Sequence, residues 1–157
     1  MLRGIGKVVS SLIPRWPQVS VIRLSGVIGE GKHNRLNLEN VEKALEKGFN
    51  VGSQQHLKAV ALVINSPGGS PVQSSLLFQR VKDLKKSTDE RRAKMNLEPV
   101  PVLAFVEDVA ASGGYYVACA ADEIIVDRSS IVGSIGVISA SFGFVDALEK
   151  VGFYESR

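Results

Sequence analysis

The chain has 157 residues, 45% of them hydrophobic, and a formal net charge of +3. That is enough apolar material for one sizeable core in a single folded unit. The single cysteine excludes an internal disulfide, two distant histidines offer no metal-ligand cluster, and no apolar run is long enough to span a bilayer.

Residues 1–18 read as a leader. Arg3, Lys7 and Arg15 precede the first acidic residue, Glu30, and Ile5, Val8, Val9, Leu12 and Ile13 give the stretch an amphipathic character. Three readings stand for it: a disordered basic leader, a segment making peripheral contact with an anionic membrane, or a mitochondrial-type presequence. The folded unit is predicted over residues 19–157. Its first strand is Val19–Leu24, followed by a polar loop, GKHNR, that contains His33. A helix over Leu38–Phe49 puts Leu38, Val41, Leu45 and Phe49 on one face. His56 precedes a second strand, Lys58–Ile64, which is broken by Asn65-Ser66-Pro67-Gly68-Gly69-Ser70-Pro71.

A helix over Val72–Lys85 comes next, with Leu76, Leu77, Arg80, Val81 and Leu84 at helical spacing. Residues 82–98 carry much of the charge and read as a surface insertion or an extended helix, with Lys85, Lys86 and Lys94 solvated. Arg91 and Arg92 have no interleaved aromatics, so nucleic-acid binding is not predicted. Then come a strand over Val100–Val106 and a helix over Tyr115–Ala121, in which Cys119 reads as buried. A short strand over Asp122–Asp127, the glycine-interrupted run Ser129–Ile138 and a helix over Phe142–Val151 complete the pattern. Strands alternating with helices predict an α/β fold with crossover connections.

Two glycine clusters carry the chemistry. Ala111-Ser112-Gly113-Gly114-Tyr115-Tyr116 lies between a strand and a helix. A serine there can present its hydroxyl at a helix N-terminus, where free N–H groups favour developing negative charge. The other reading is a close-packing device. Pro67-Gly68-Gly69 can form a turn that points N–H groups outward, either as half of an oxyanion hole or as an ordinary tight turn. The GxxxxGK[ST] phosphate loop is absent. The run Ile131-Val132-Gly133-Ser134-Ile135-Gly136 suits a strand packed close to another backbone, or an edge that pairs with a substrate strand.

INSPGGSP, VAASGGYYVACAADEI and IVGSIGV, in that order, resemble the signal peptide peptidase A family of serine proteases, peptidase family S49, which includes the SohB-like enzymes. Val21–Ile28 is similar to the family's opening strand. The resemblance covers roughly residues 19–155 and implies a ClpP/crotonase-like spiral of βα units. It also implies Ser112 as nucleophile and backbone N–H groups at Gly69 and Gly113 as oxyanion donors. Gly68, Ser70, Gly133, Ser134 and Ile135 would line the peptide path. No cofactor is implied; a peptide or protein substrate and homo-oligomers are.

The family's general base is a lysine beyond the IVGSIGV segment, and counting from Ser112 places it past Arg157. The expectation is therefore a unit incomplete at its C-terminus, with little activity alone. Lys150 comes too early and reads as a solvated helix residue; His33, His56 and Asp108 read as loop residues. Three functions remain in view: a Ser–Lys endopeptidase cleaving extended peptides, a non-catalytic peptide-binding or assembly subunit, and a crotonase-type acyl-CoA enzyme. Ser112 within ASGGYY speaks against the last.

Overall fold

The computed structural model describes residues 16–31, 35–52 and 54–136. Residues 1–15, His33 and the predicted helix at Phe142–Val151 lie outside them. In chain order the elements are β1 (Gln18–Ser25), β2 (Val27–Ile28), β3 (Arg35–Leu36), α1 (Leu38–Phe49) and β4 (Leu57–Ser66). They continue with α2 (Pro71–Ala93), β5 (Val102–Ala111), α3 (Gly113–Ala118), β6 (Glu123–Val126) and β7 (Ile131–Gly133).

The main sheet runs β1-β4-β5-β6, with β7 also paired to β5, and every pairing is parallel. Each crossover helix delivers the next strand to the same growing edge. That progression is the expected α/β arrangement of successive βα units. Alternate residues of three strands face one side: Ile22 and Leu24, then Val60, Leu62 and Ile64, then Val102, Ala104 and Val106. Against them pack Leu45 and Phe49 of α1, Leu77 and Val81 of α2, and Val117 of α3. Burying each such large side chain contributes about 1.5–3 kcal/mol, and together they fix the helices over the sheet.

Helix α1 begins and ends where the periodicity predicts. Its N-cap, Asn37, accepts from the Asn40 N–H at 2.9 Å. The same side chain donates to the carbonyls of Gly29 and Gly31, tying the preceding loop to the helix.

Helix α2 resolves the charged segment as an extended helix. Its inward stripe continues from Leu77, Val81 and Leu84 to Thr88 and Arg92. Arg92 is only 4% exposed; its Nε donates to the Glu98 carbonyl at 2.6 Å and its Nη1 to the carbonyls of Leu57 and Gln54. Lys85 also departs from the solvated reading. It pairs with Asp89 and Asp122 at 3.4 and 3.1 Å and donates to the Val100 carbonyl. These contacts bind the far end of α2 to the strands on either side of it. Arg92→Met removes the donors and leaves buried carbonyls unpaired, so it is expected to cost about 2–4 kcal/mol, read as a lower urea midpoint.

Asp122 accepts from the Val102 N–H at 2.8 Å and from Lys85. Desolvation pushes its pKa up, but the Val102 hydrogen bond, the Lys85 ammonium and the charge of Lys82 outweigh it and hold the carboxyl below the usual range. A depressed pKa stabilises the fold above the unfolded value and ceases to as pH falls through the folded one. The side chain is 39% exposed. Asp122→Asn is therefore expected to cost less than about 1 kcal/mol at neutral pH. The gap to wild type should close as pH drops below about 4, which unfolding midpoints across a pH series would check.

Among the described residues no helix is long and apolar enough to cross a membrane.

Candidate active site

The site forms where β4 and β5 deliver their carboxyl ends. Their register advances in step from Val60↔Val102 to Ile64↔Val106, and then Ser66 pairs with Ala110. Strand β5 thus holds extra residues near its end, a bulge that re-aims the chain beyond it. Glu107 and Asp108 sit in that stretch. Glu107 pairs with Arg23 of β1 at 2.7 Å, and Asp108 accepts from Asn65 of β4 at 2.8 Å. Asp108 is thus an exposed strand residue held by its neighbour rather than a loop residue.

Ser112 is the hinge between β5 and α3. Its backbone lies at φ 51° and ψ −119°, a region non-glycine residues rarely occupy. Three contacts hold that strained geometry. The Ser112 N–H donates to the Gly133 carbonyl of β7 at 2.7 Å, and its carbonyl accepts from the Tyr116 N–H at 2.9 Å. Gly68 presses from the other side: a Cβ there would lie 2.7 Å from the Gly113 nitrogen and 2.9 Å from the Ser112 Cβ. The Ser112 hydroxyl does not cap α3, so the helix start leaves it uncommitted.

The PGG turn is stitched to β2. Ile28 N–H donates to the Gly68 carbonyl and Ser70 N–H to the Ile28 carbonyl, at 2.8 and 2.9 Å, so Ile28 and Gly69 form a parallel bridge. Ser70 caps α2 through Gln73 N–H, and Ser74, one turn on, bonds back to the Ser70 carbonyl. Gly113 packs against Ser74 so closely that a Cβ would sit 2.1 Å from its Oγ. Among the described residues neither the Gly69 nor the Gly113 N–H has a backbone acceptor.

Gly69, Ser112, Gly113 and Ile135 therefore share one cleft of about 450 Å³. Gly68 backs Ser112 instead of lining the cleft. Ser70 is a cap, Gly133 holds the Ser112 N–H, and Ser134 lies between Gly133 and Ile135 with φ 53°. The cleft also takes in Pro71, Ser74, Tyr115, Tyr116 and Cys119, which the motifs alone do not assign to it. Cys119 is exposed to the cleft, correcting its reading as a buried core residue. It stands four residues after Tyr115, and that helical spacing is the available signal. Among the described lining residues there is no Lys, His, Asp or Glu. A larger open depression of about 900 Å³, bordered by Glu30, Asn37, Glu42 and Arg80, contains none of the motif residues.

The comparisons with known proteins bear on this cleft directly. Residues 94–155, which include Ser112, Gly113 and the β7 segment, match the model of peptidase family S49. The chain is 34% identical over 153 residues to the chloroplastic serine protease SPPA of Arabidopsis thaliana, covering 96% of this chain and 21% of that protein. It is 49% identical over 138 residues to a Brucella melitensis protein named Na(+)/H(+) antiporter NhaA, covering 86% of this chain and 17% of that one. The chain thus spans about a fifth of these relatives' length, and their names describe far more polypeptide than the matched stretch. Among solved structures, the membrane-bound stomatin-specific protease 1510-N, in a mutant form, superposes with a TM-score of 0.56 at 17% identity. That superposition covers 82% of this chain and 53% of that one, and it shows a shared fold. With the ordered motifs gathered around Ser112, the family-model match and the protease relative place the chain in peptidase family S49.

Proposed function

We propose that this chain carries the nucleophile and oxyanion hole of a serine endopeptidase. The observation behind the reading is Ser112 itself: a strained, uncapped serine between a strand and a helix, sharing a cleft with Gly69 and Gly113. Backbone strain of about 1–3 kcal/mol at one residue persists only where the surroundings enforce it, and such residues concentrate at active sites. The serine protease name of the Arabidopsis relative supports the same reading.

In the proposed reaction the Ser112 Oγ attacks the scissile carbonyl while its proton passes to a neutral amine of a lysine. The Gly69 and Gly113 N–H groups donate to the oxyanion as it forms. The C–N bond then breaks, the lysine returns the proton to the leaving amine, and water hydrolyses the Ser112 ester. The lining contains no base among the described residues, so the lysine is supplied from beyond them or by another subunit. Substrates are extended peptides lying along Gly133, Ser134 and Ile135, with Gly69 and Pro71 on the cleft's lining and Gly68 and Ser70 holding the turn behind them. Leader or membrane-derived peptides, being apolar, suit a cleft lined by Pro71, Tyr115, Tyr116 and Ile135 with no charged side chain among its described lining residues. A cleft whose described lining residues bind without supplying a base also fits a second reading, a peptide-holding subunit of a larger homo-oligomeric assembly.

A fluorophosphonate probe separates the two. It should add to Ser112 in the assembled enzyme, found by mass spectrometry, and Ser112→Ala should abolish the adduct. An active assembly with Ser112 unmodified would refute the nucleophile assignment.

A further inference from the structure

The wall of the serine cleft is braced from outside. Tyr116 lines the cleft and is 45% exposed. Its ring does not stand alone: it stacks on Phe78 of α2, with centroids 4.9 Å apart and planes 23° apart. The Lys82 ammonium in turn lies 5.9 Å from the centroid of the Phe78 ring. Phe78 is absent from the cleft lining, and so is Lys82. An exposed tyrosine ordinarily samples several rotamers; one stacked on a half-buried ring presents a fixed flat surface. Around it stand Pro71, Tyr115, Cys119 and Ile135, with no charged side chain among the described lining residues.

We infer that Tyr116 is the specificity-determining wall of this cleft, that Phe78 is its positioning residue, and that the side chain accepted against it is uncharged and flat, aromatic in preference to aliphatic. The inference rests on the proposed peptide-cleaving role of the same cleft and names the substrate side chain that role takes. Two physical terms support it. A charged side chain entering this cleft loses water without gaining a partner among those residues. An aromatic side chain against an oriented ring gains about two- to tenfold over an aliphatic one of similar size.

The chain's single cysteine provides a readout that needs no turnover. Cys119 opens onto the cleft, so an occupying peptide should slow its alkylation by iodoacetamide. The measurement uses the full chain carrying Ser112→Ala and capped pentapeptides Ala-Ala-X-Ala-Ala, with X as Phe, Leu or Asp. Protection is the ratio of alkylation rates without and with peptide. The Phe peptide is expected to protect at concentrations about two- to tenfold lower than the Leu peptide, with no protection by the Asp peptide. Phe78→Leu should bring the Phe peptide down to the Leu level and leave the Leu peptide unchanged. Phe78→Tyr should restore the difference, and Tyr116→Ala should abolish it.

Phe78 is a half-buried surface residue, and circular dichroism of each variant checks that the fold is intact. Equal protection by the Phe and Asp peptides, no protection by any peptide, or a preference that survives Phe78→Leu overturns the inference. Because the readout is binding alone, a failure of Ser112 as nucleophile would leave the protection pattern untouched, and the two failures are told apart.

Discussion

Ser112→Ala in the catalytically competent assembly is expected to lower kcat by about four to six orders of magnitude, the loss typical of a covalent nucleophile. The fold should survive, because the hydroxyl makes no cap and the backbone contacts to Gly133 and Tyr116 do not involve it. A second substitution makes the test sharper. Ser112 holds φ 51° and ψ −119°, a conformation that glycine adopts without the Cβ penalty. Ser112→Gly should therefore be as inactive as the alanine variant yet more stable than it, by about 1 kcal/mol or more. Peptide hydrolysis and urea unfolding on the same samples measure both effects. Alanine and glycine variants of equal stability would show that the geometry at Ser112 stores no strain. Retained hydrolysis by either would remove the serine from the mechanism.

The parts of this site that are legible in the sequence are those written in local chemistry. Helix α1 matches its expected bounds because Asn37 caps it and Leu45 and Phe49 mark its buried face. The glycine motifs are visible because tight approaches demand glycine: Gly68 against Ser112, Gly113 against Ser74, and Gly114 against the Ser66 carbonyl. The far half of α2 is hidden for the opposite reason. Its buried stripe passes from leucine and valine to Thr88 and Arg92, polar residues that conceal the helical period. Their partners, the carbonyls of Gln54, Leu57 and Glu98, come from other segments and leave no mark near them. The end of β5 is hidden likewise. Asp108 looks like a loop residue until Asn65 is brought alongside by the neighbouring strand, as Arg23 is beside Glu107. Cys119 reads as buried because its neighbours Val117, Ala118 and Ala120 are buried, yet it alone of the four turns to the cleft.

Gly69 is where structure and catalysis are hardest to separate, and its substitution should have an effect second only to that of Ser112. Gly69 has φ +143°, and a Cβ would fall 2.0 Å from the Ile28 carbonyl oxygen, a backbone atom with no freedom to retreat. Gly69→Val is therefore expected to break the bridge to β2 and unfold the turn as well as misdirect the donor. Gly69→Ala brings the same Cβ against the Ile28 carbonyl without valine's further bulk, so its kcat is read together with its folded fraction. If the Gly69 N–H donates to the oxyanion, its displacement costs about 2.7–4 kcal/mol in the transition state, a loss of about a hundred- to a thousandfold in kcat. KM should move little, because the ground-state carbonyl gains less from that donor than the oxyanion does.

Gly68→Ala is the control. Its Cβ would strike the Ala111 carbonyl at 2.6 Å, the Gly113 nitrogen at 2.7 Å and the Ser112 Cβ at 2.9 Å, displacing the nucleophile along with the second donor while leaving the Gly69 N–H in place. Fluorophosphonate labelling should then fall in step with kcat for Gly68→Ala, since a misplaced serine attacks every electrophile poorly. Kinetic measurements belong well below each variant's unfolding midpoint, so that the folded fraction is constant. A Gly69→Ala enzyme whose kcat loss merely tracks its unfolded fraction would reduce Gly69 to a packing residue. An undiminished folded fraction with kcat down by two to three orders would assign the donor to its N–H.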